Sequence, residues 1–257
     1  MEASETGAGG APKALRDASV PTVSIVIPAY NEARRIDSSL EKILTFIDNN
    51  ELAAEIIVVD DGSDDGTSQI TGAHSRHELR NLVNDTNHGK GYSVRRGFLE
   101  AKGTYVLFTD ADLSASIDEL AHLLEFAREG ADIIVGSRAV DRGKIVIHQP
   151  RTRELGGILY NWAVQVILGL PIQDTQCGFK LFRREAMLPI FQKQTIQRFG
   201  FDPEILFLAR KGGLEIREIP VSWSHDAGSK VRFLSDGIGM FLDLIHIRWN
   251  WMRGRYR

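Results

Sequence analysis

Val23-Ser24-Ile25-Val26-Ile27-Pro28 and Glu55-Ile56-Ile57-Val58-Val59-Asp60 are short apolar runs rich in β-branched residues, and between them Ile36, Leu40, Ile43, Leu44 and Ile47 recur at helical spacing. A strand, an amphipathic helix and a second strand with little polar alternation open a mostly parallel α/β sheet, whose strands are buried on both faces. The alternation continues along the chain. Leu79 to Val83 reads as a third strand, Tyr105 to Asp110 as a fourth and Asp132 to Gly136 as a fifth. Ser116-Ile117-Asp118-Glu119 has the S-x-x-E form of a capping box, which predicts a helix starting there and running toward Arg128. The expected fold class is α/β, Rossmann-like, with a mostly parallel central sheet flanked by helices.

In such sheets ligands bind beyond the carboxyl ends of the strands. The residues just after each run therefore form one candidate rim: Pro28-Ala29-Tyr30-Asn31-Glu32, Asp60-Asp61-Gly62-Ser63, Asp110-Ala111-Asp112 and Ser137-Arg138. If the fourth strand continues through Asp110 and Asp112, alternation puts both carboxylates on one face, where they can hold a hard cation such as Mg²⁺ or Mn²⁺. An isolated D-x-D reads better as a solvated turn; here it comes with neighbours. An aromatic ring and a carboxylate, as at Tyr30 and Asp60, can hold a nucleobase and its ribose while the metal neutralises a diphosphate.

Asn87-His88-Gly89-Lys90-Gly91 precedes a helical stretch, and its two glycines allow close backbone approach to an anion near a helix N-terminus. Neither G-x-x-x-x-G-K-S/T nor G-x-G-x-x-G occurs, which disfavours a P-loop NTPase and a dinucleotide-binding domain. A dehalogenase-type phosphohydrolase also carries D-x-D, but on its first strand with Thr or Val two residues beyond. Ser114 stands at that position here, and the motif follows the fourth strand.

The chain has 257 residues with 43% hydrophobic and 25% charged side chains, an ordinary globular composition. Its net charge of −3 argues against a general nucleic-acid binder. The single cysteine, Cys177, excludes an internal disulfide and reads as a small buried thiol. Residues 1–20, rich in Ala, Gly, Ser and acidic groups, read as a disordered tail and not as a signal peptide. No run reaches the ~20 apolar residues of a transmembrane helix.

The ordered motifs Pro28 to Glu32, Val58 to Ser63, Gly89-Lys90-Gly91, Asp110-Ala111-Asp112 and Gly136-Ser137-Arg138 resemble those of the family 2 inverting glycosyltransferases with the GT-A fold. Asp174 to Phe182, Phe201 to Leu206 and Gly228-Ser229-Lys230 look like the dolichyl-phosphate β-glucosyltransferase branch, near relatives of dolichyl-phosphate mannose synthase. The similarity runs from about Val20 to Arg248. It departs from the pattern in lacking the N-terminal membrane helix of the eukaryotic glucosyltransferases, and in having Leu113-Ser114 where many polyprenyl-phosphate transferases have Leu-Gln.

The resemblance implies a hexosyltransferase moving glucose from UDP-glucose to dolichyl or another polyprenyl phosphate; the alternatives are transfer of mannose, from GDP-mannose, or of an N-acetylhexosamine to lipid phosphate or to a glycan, and, more remotely, a sugar-nucleotide-binding module without activity. It implies that Pro28, Tyr30, Glu32 and Asp60 hold the nucleoside, that Asp61 lies near the ribose, that Lys90 and Ala111 border the sugar nucleotide, and that Asp110 and Asp112 bind Mg²⁺ or Mn²⁺. Asp174 takes the place where family members with hydroxyl acceptors keep a base. A phosphate monoester, with its second pKa near ~6, is already an oxyanion at neutral pH, so Asp174 is expected to orient sugar or acceptor instead. Arg138, Arg151, Arg153 and Lys230, with Ser229, are the candidates for the acceptor phosphate. Leu155 to Leu170 is almost wholly apolar. In the C-terminal stretch Asp236, Asp243, His246, Asn250 and Arg253 share one helical face, and Ile238, Phe241, Leu242, Ile245, Trp249 and Met252 another. With Arg248, Arg253, Arg255 and Arg257, that helix suits an anionic membrane surface. The expected organisation is a tail over 1–20, a catalytic domain over 21–228 and a membrane-associating segment over 229–257, peripheral on the cytoplasmic face of a membrane.

Overall fold

A computed structural model describes residues 22–224, apart from 75, 77, 142, 144 and 148–150, and residues 233–256. The elements follow in the order β1 (Val23–Ala29), α1 (Ile36–Asn49), β2 (Ala54–Asp60), α2 (Thr67–Ala73), β3 (Leu79–Val83), α3 (Lys90–Glu100), β4 (Tyr105–Thr109), α4 (Glu119–Arg128), β5 (Ile133–Ser137) and β6 (Ile145–Ile147). The second half comprises α5 (Arg151–Leu168), β7 (Phe179–Arg183), α6 (Arg184–Lys193), α7 (Phe201–Lys211), β8 (Ile216–Pro220), β9 (Trp223–Ser224) and α8 (Phe233–Met252).

Seven strands form one sheet in the order β3-β2-β1-β4-β7-β5-β8, and β6 pairs with β9 in a separate two-stranded ribbon. All pairings in the large sheet are parallel except those of β7, which runs antiparallel to β4 and β5. Val23, Ile25, Val26 and Ile27 of β1 are fully buried, each worth roughly 1.5–3 kcal/mol of apolar transfer. Alternate residues feed two cores. Val23, Ile25 and Ile27 pack with α1 and α4 on one face, while Val26 packs with residues of α3, α6, α7 and α8 on the other.

Two local expectations are corrected. β4 stops at Thr109, so Asp110 and Asp112 stand in a turn closed by Leu113 N–H donating to the Asp110 carbonyl at 3.1 Å, with Leu113 at φ 47°. Strand alternation therefore does not align the two carboxylates. The S-x-x-E sequence does not close as a capping box either. α4 begins only at Glu119, the Ser116 hydroxyl donates to Asp118 Oδ2 at 2.8 Å, and Glu119 Oε1 accepts from Ser222 N–H at 2.9 Å. The tertiary partner on the β8–β9 connection takes the carboxylate that would have reached back to the helix end.

Candidate active site

The parallel register sets the ends of β1 and β2 side by side, with Ala29 opposite Asp60. Their loops are laced together: Asn31 N–H donates to Ser63 Oγ at 2.8 Å, Glu32 N–H to Thr67 Oγ1 at 2.7 Å, and Asp64 N–H to Asn31 Oδ1 at 3.0 Å. Arg35 forms an ion pair with Glu32. Tyr30 stays 39% exposed on the rim. Asp60 is fully buried; its Oδ1 accepts from Ser63 N–H at 2.9 Å, and its Oδ2 has no hydrogen-bond partner among the described residues. Such an orphaned acceptor costs on the order of 1–3 kcal/mol until a donor reaches it.

Asp61 does more structural work than its motif suggests. Its carboxylate accepts from Asn84 Nδ2 at 2.6 Å, His88 N–H at 3.1 Å and Gly89 N–H at 2.7 Å, which pins the loop before α3. Gly89 has φ 106°, and a Cβ there would stand 2.7 Å from the Gln197 carbonyl, so glycine is required on both counts. The pinned loop starts α3 at Lys90, whose ammonium lies 2.6 Å from Asp110 Oδ1 and 5.1 Å from the Phe108 ring centroid. Burial works against the Lys90 charge, but Asp110 and then Asp202 outweigh it and hold its pKa raised.

The Asp110–Asp112 turn is fixed from behind. Asp110 N–H donates to the Gly178 carbonyl at 3.2 Å, Ser39 Oγ to the Ala111 carbonyl at 2.7 Å, and Ser114 N–H to Asp112 Oδ1 at 2.9 Å. Burial, and then the Asp110 charge, push the Asp112 carboxyl above its ordinary value. Among the described residues no third His, Cys, Asp or Glu joins these two carboxylates as a metal cluster. Two hard oxygen donors fit a cation of the Mg²⁺ type, which binds through one or two carboxylates and completes its shell with phosphate oxygens and water.

These residues line one cleft of about 1140 Å³, walled by Pro28, Tyr30, Glu32, Asp61, Lys90, Asp110, Ala111 and Asp112 on the strand-end side. The rest of the wall comes from residues 195–199 and from Asp236, Met240, Asp243 and His246 of α8. Arg138 and Asp174 stand outside this wall and hold each other: Arg138 N–H donates to Asp174 Oδ2 at 3.0 Å, Nε to Oδ2 at 2.7 Å and Nη2 to Oδ1 at 2.8 Å. The Arg138 guanidinium also lies over the Trp223 ring at 5.2 Å. Arg151 and Arg153 fall in the first turn of α5, and Ser229 and Lys230 lie outside the described residues. Cys177 is buried, and burial with the Asp174 charge pushes its thiol up to about 12, which leaves it inert at neutral pH.

Residues 24–191 match Glycosyl transferase family 2. The chain belongs to that family. It is 36% identical to the dolichyl-phosphate beta-glucosyltransferase of Saccharomyces cerevisiae, over 91% of this chain and 76% of the yeast protein. To the dolichyl-phosphate beta-glucosyltransferase ALG5C of Trichomonas vaginalis it is 36% identical, over 87% of this chain and 70% of that one. Among solved structures, glucosyl-3-phosphoglycerate synthase of Mycobacterium tuberculosis, in complex with Mn²⁺, UDP-glucose and phosphoglyceric acid, superposes with a TM-score of 0.62 at 21% identity, over 92% of this chain and 80% of that one. That likeness is one of fold, and the fold is the GT-A arrangement with its mostly parallel sheet.

In this family 2 glycosyltransferase the wall formed by residues 195–199 and α8 went unread in the sequence. Its one signal was the polar face of the last helix, where Asp236, Asp243 and His246 recur at helical spacing; these three turn into the cleft together with Met240. Glu204 holds the other part of that wall, accepting from Thr195 N–H at 3.0 Å, Ile196 N–H at 2.8 Å and Tyr256 Oη at 2.7 Å.

Proposed function

We propose that this chain transfers glucose from UDP-glucose to the phosphate of dolichyl phosphate or a similar polyprenyl phosphate, with inversion at the anomeric carbon. The observation that carries this reading is the convergence, in one cleft, of the β1 loop, Lys90 and the paired carboxylates of one turn, in a chain whose relatives along most of its length are dolichyl-phosphate beta-glucosyltransferases. Tyr30 and Glu32 border the nucleoside, while Asp60, buried behind the cleft lining, supports that end of the site by holding Ser63 N–H at 2.9 Å. Asp61, near the ribose, acts chiefly through the Gly89 loop, which aims the α3 N-terminus and Lys90 at the diphosphate. Asp110 and Asp112 would hold Mg²⁺ or Mn²⁺, which would supply electrostatic stabilisation for the charge on the departing diphosphate.

The attacking atom is an oxygen of the acceptor phosphate, which approaches the anomeric carbon from the face opposite the diphosphate and needs no proton removed. That chemistry agrees with Asp174 having both oxygens committed to Arg138. The pair acts as a positioning unit: Asp174 fixes the guanidinium through Nε and Nη2, and Nη1 is the remaining donor that would meet the acceptor phosphate together with Arg151, Arg153, Ser229 and Lys230.

A polyprenyl acceptor requires docking at a membrane surface. Two neighbouring helices support it. α5 exposes Leu155, Ile158, Leu159, Trp162 and Val166, and α8 exposes Ile238, Phe241, Leu242, Ile245, Trp249 and Met252, each between 45% and 65%. Arg248, Arg253 and Arg255 are exposed on and just beyond α8, with the Arg253 guanidinium 4.3 Å from the Trp249 ring centroid. Among the described residues no helix is long and apolar enough to cross a membrane. We place the protein peripherally on the membrane, both helices lying in the interface.

The test is incubation of purified protein with dolichyl phosphate and a panel of sugar nucleotides, followed by mass analysis of the lipid. Hexose should add from UDP-glucose in the presence of Mg²⁺ or Mn²⁺ and stop on chelation. Asp110→Asn and Asp112→Asn should each lower turnover by roughly 10²-fold or more, the scale of losing a transition-state charge partner. Addition from GDP-mannose alone would move the donor, and sugar on water-soluble acceptors with none on the lipid would overturn the reading.

A further inference from the structure

The Lys90–Asp110 contact has a consequence for the order of events in the cleft. An ammonium 2.6 Å from Asp110 Oδ1 occupies one of the two carboxylates of this turn, which no third His, Cys, Asp or Glu among the described residues joins as a metal cluster. A divalent cation arriving alone must take Asp110 from Lys90 and leave a like charge beside itself in a partly buried site, where such repulsion is poorly screened. A nucleoside diphosphate changes both terms, because it supplies oxygen ligands to the cation and a negative group to which the long, flexible lysine can turn. Lys90 heads α3, so the helix N-terminus backs the same anion.

A second carboxylate near Lys90 is already committed. Asp202 Oδ1 lies 2.6 Å from the fully buried Lys180 ammonium, which also donates to the Cys177 carbonyl at 2.5 Å. Lys90 therefore has no vacant acidic partner of equal standing among these groups once Asp110 is taken, and the diphosphate becomes its natural destination.

We propose that Lys90 competes with the divalent cation for Asp110 and so makes cation and nucleoside diphosphate bind as linked partners, each raising the affinity for the other. The inference rests on the sugar-nucleotide reading of this cleft. Linkage requires the coupling to be reciprocal, and couplings of this kind are typically about 5–150-fold.

The experiment follows free Mn²⁺ by its electron paramagnetic resonance signal, titrated into wild type, Lys90→Met, Lys90→Gln and Lys90→Arg with and without UDP, with GDP in parallel. Circular dichroism and thermal melting establish that each variant is folded. In wild type, UDP should tighten Mn²⁺ binding. Lys90→Met and Lys90→Gln should bind Mn²⁺ alone about tenfold or more tightly than wild type, and the UDP effect should shrink by a similar factor. Lys90→Arg should keep the wild-type pattern. Folded Met and Gln variants that bind Mn²⁺ alone no better than wild type would overturn the competition. A Mn²⁺ response to GDP and not UDP would move the donor assignment and leave the role of Lys90 standing, while no response to either nucleotide in wild type would sink the linkage and the donor reading together.

Discussion

Gly178 shows how tightly the Asp110–Asp112 turn is specified by single residues. A Cβ built on Gly178 would fall inside the Asp110 carboxylate, so even alanine must push that carboxylate away. Because a misplacement of about 1 Å can cost about 10²-fold in rate, Gly178→Ala should cut transfer by roughly that factor while the melting temperature moves little. Near-normal turnover would mean the turn has room to shift. The Arg138–Asp174 pair makes a stability prediction. Asp174 is buried, which alone would raise its pKa, yet the Arg138 charge and hydrogen bonds hold it below the ordinary carboxylate value. A depressed folded pKa contributes stability above the unfolded value of ~3.9, and that contribution is lost as pH falls through the folded value. Arg138→Met leaves a buried charge uncompensated and should cost roughly 3–5 kcal/mol in chemical denaturation at pH 7. The deficit should shrink as pH falls and Asp174 takes up a proton. A deficit independent of pH would place the damage elsewhere. The D-x-D carboxylates were legible as residues, because acidic groups after an apolar run are a local pattern. Their true support was not, since Gly178, Ser39 and Lys90 meet the turn only through the sheet and its flanking helices.

At the scale of elements, α8 is the helix that reads two ways at once. Its Asp236, Asp243 and His246 face the cleft, whereas Ile238, Phe241, Leu242, Ile245, Trp249 and Met252 face outward. Leu244 and Ile247 form the narrow buried seam against the body. Replacing Trp162 and Trp249 by Ser removes exposed rings from both helices without opening the core, so the double variant should fold normally and sediment less with anionic liposomes. Arg253→Gln with Arg255→Gln should weaken the same binding by roughly 1 kcal/mol per charge and flatten its salt dependence. Unchanged sedimentation in both variants would remove the interfacial role of these helices. Tyr256 ties the end of α8 to α7 through its 2.7 Å bond to the buried Glu204. Tyr256→Phe deletes a bond to a buried carboxyl and should lower stability by about 1.5–3 kcal/mol, read as a fall of a few degrees in melting temperature. The amphipathic pattern of α8 was visible from its spacing, but Asn250, placed by that pattern on the polar face, is in fact 1% exposed and lies at 3.4 Å from the Tyr256 hydroxyl. Periodicity separates faces; it does not say what each face meets.

For the whole molecule, one sheet separates two cores, and the cleft spans from its strand ends to the α8 wall. A donor seated there contacts elements from both halves of the chain. Saturating UDP with Mn²⁺, at about 100 times its dissociation constant, should therefore stabilise the fold by roughly 2.7 kcal/mol and raise the melting temperature by about 5–10 °C. Absence of any shift with both ligands present would argue that they do not bind this cleft. β1, β2, β4 and β5 were readable from the chain, because strands buried on both faces leave continuous apolar runs, each followed by candidate site residues, whereas the half-exposed β3 carries Arg80 and Asn81 in its middle. β7 was not readable as a strand, since Phe179-Lys180-Leu181-Phe182 carries a lysine in its middle, and β8 was missed because its Arg217 and Glu218 interrupt the apolar pattern. That lysine is tolerable only because Asp202 and the Cys177 carbonyl, brought together by folding, receive its ammonium in the interior. Local patterning was enough to settle the α/β class and the acidic rim, since both are written in neighbouring residues. The antiparallel insertion of β7, the Lys90–Asp110 and Arg138–Asp174 pairings and the second wall of the cleft were decided by tertiary packing, because each depends on groups distant in sequence whose burial is favourable only in one another's company.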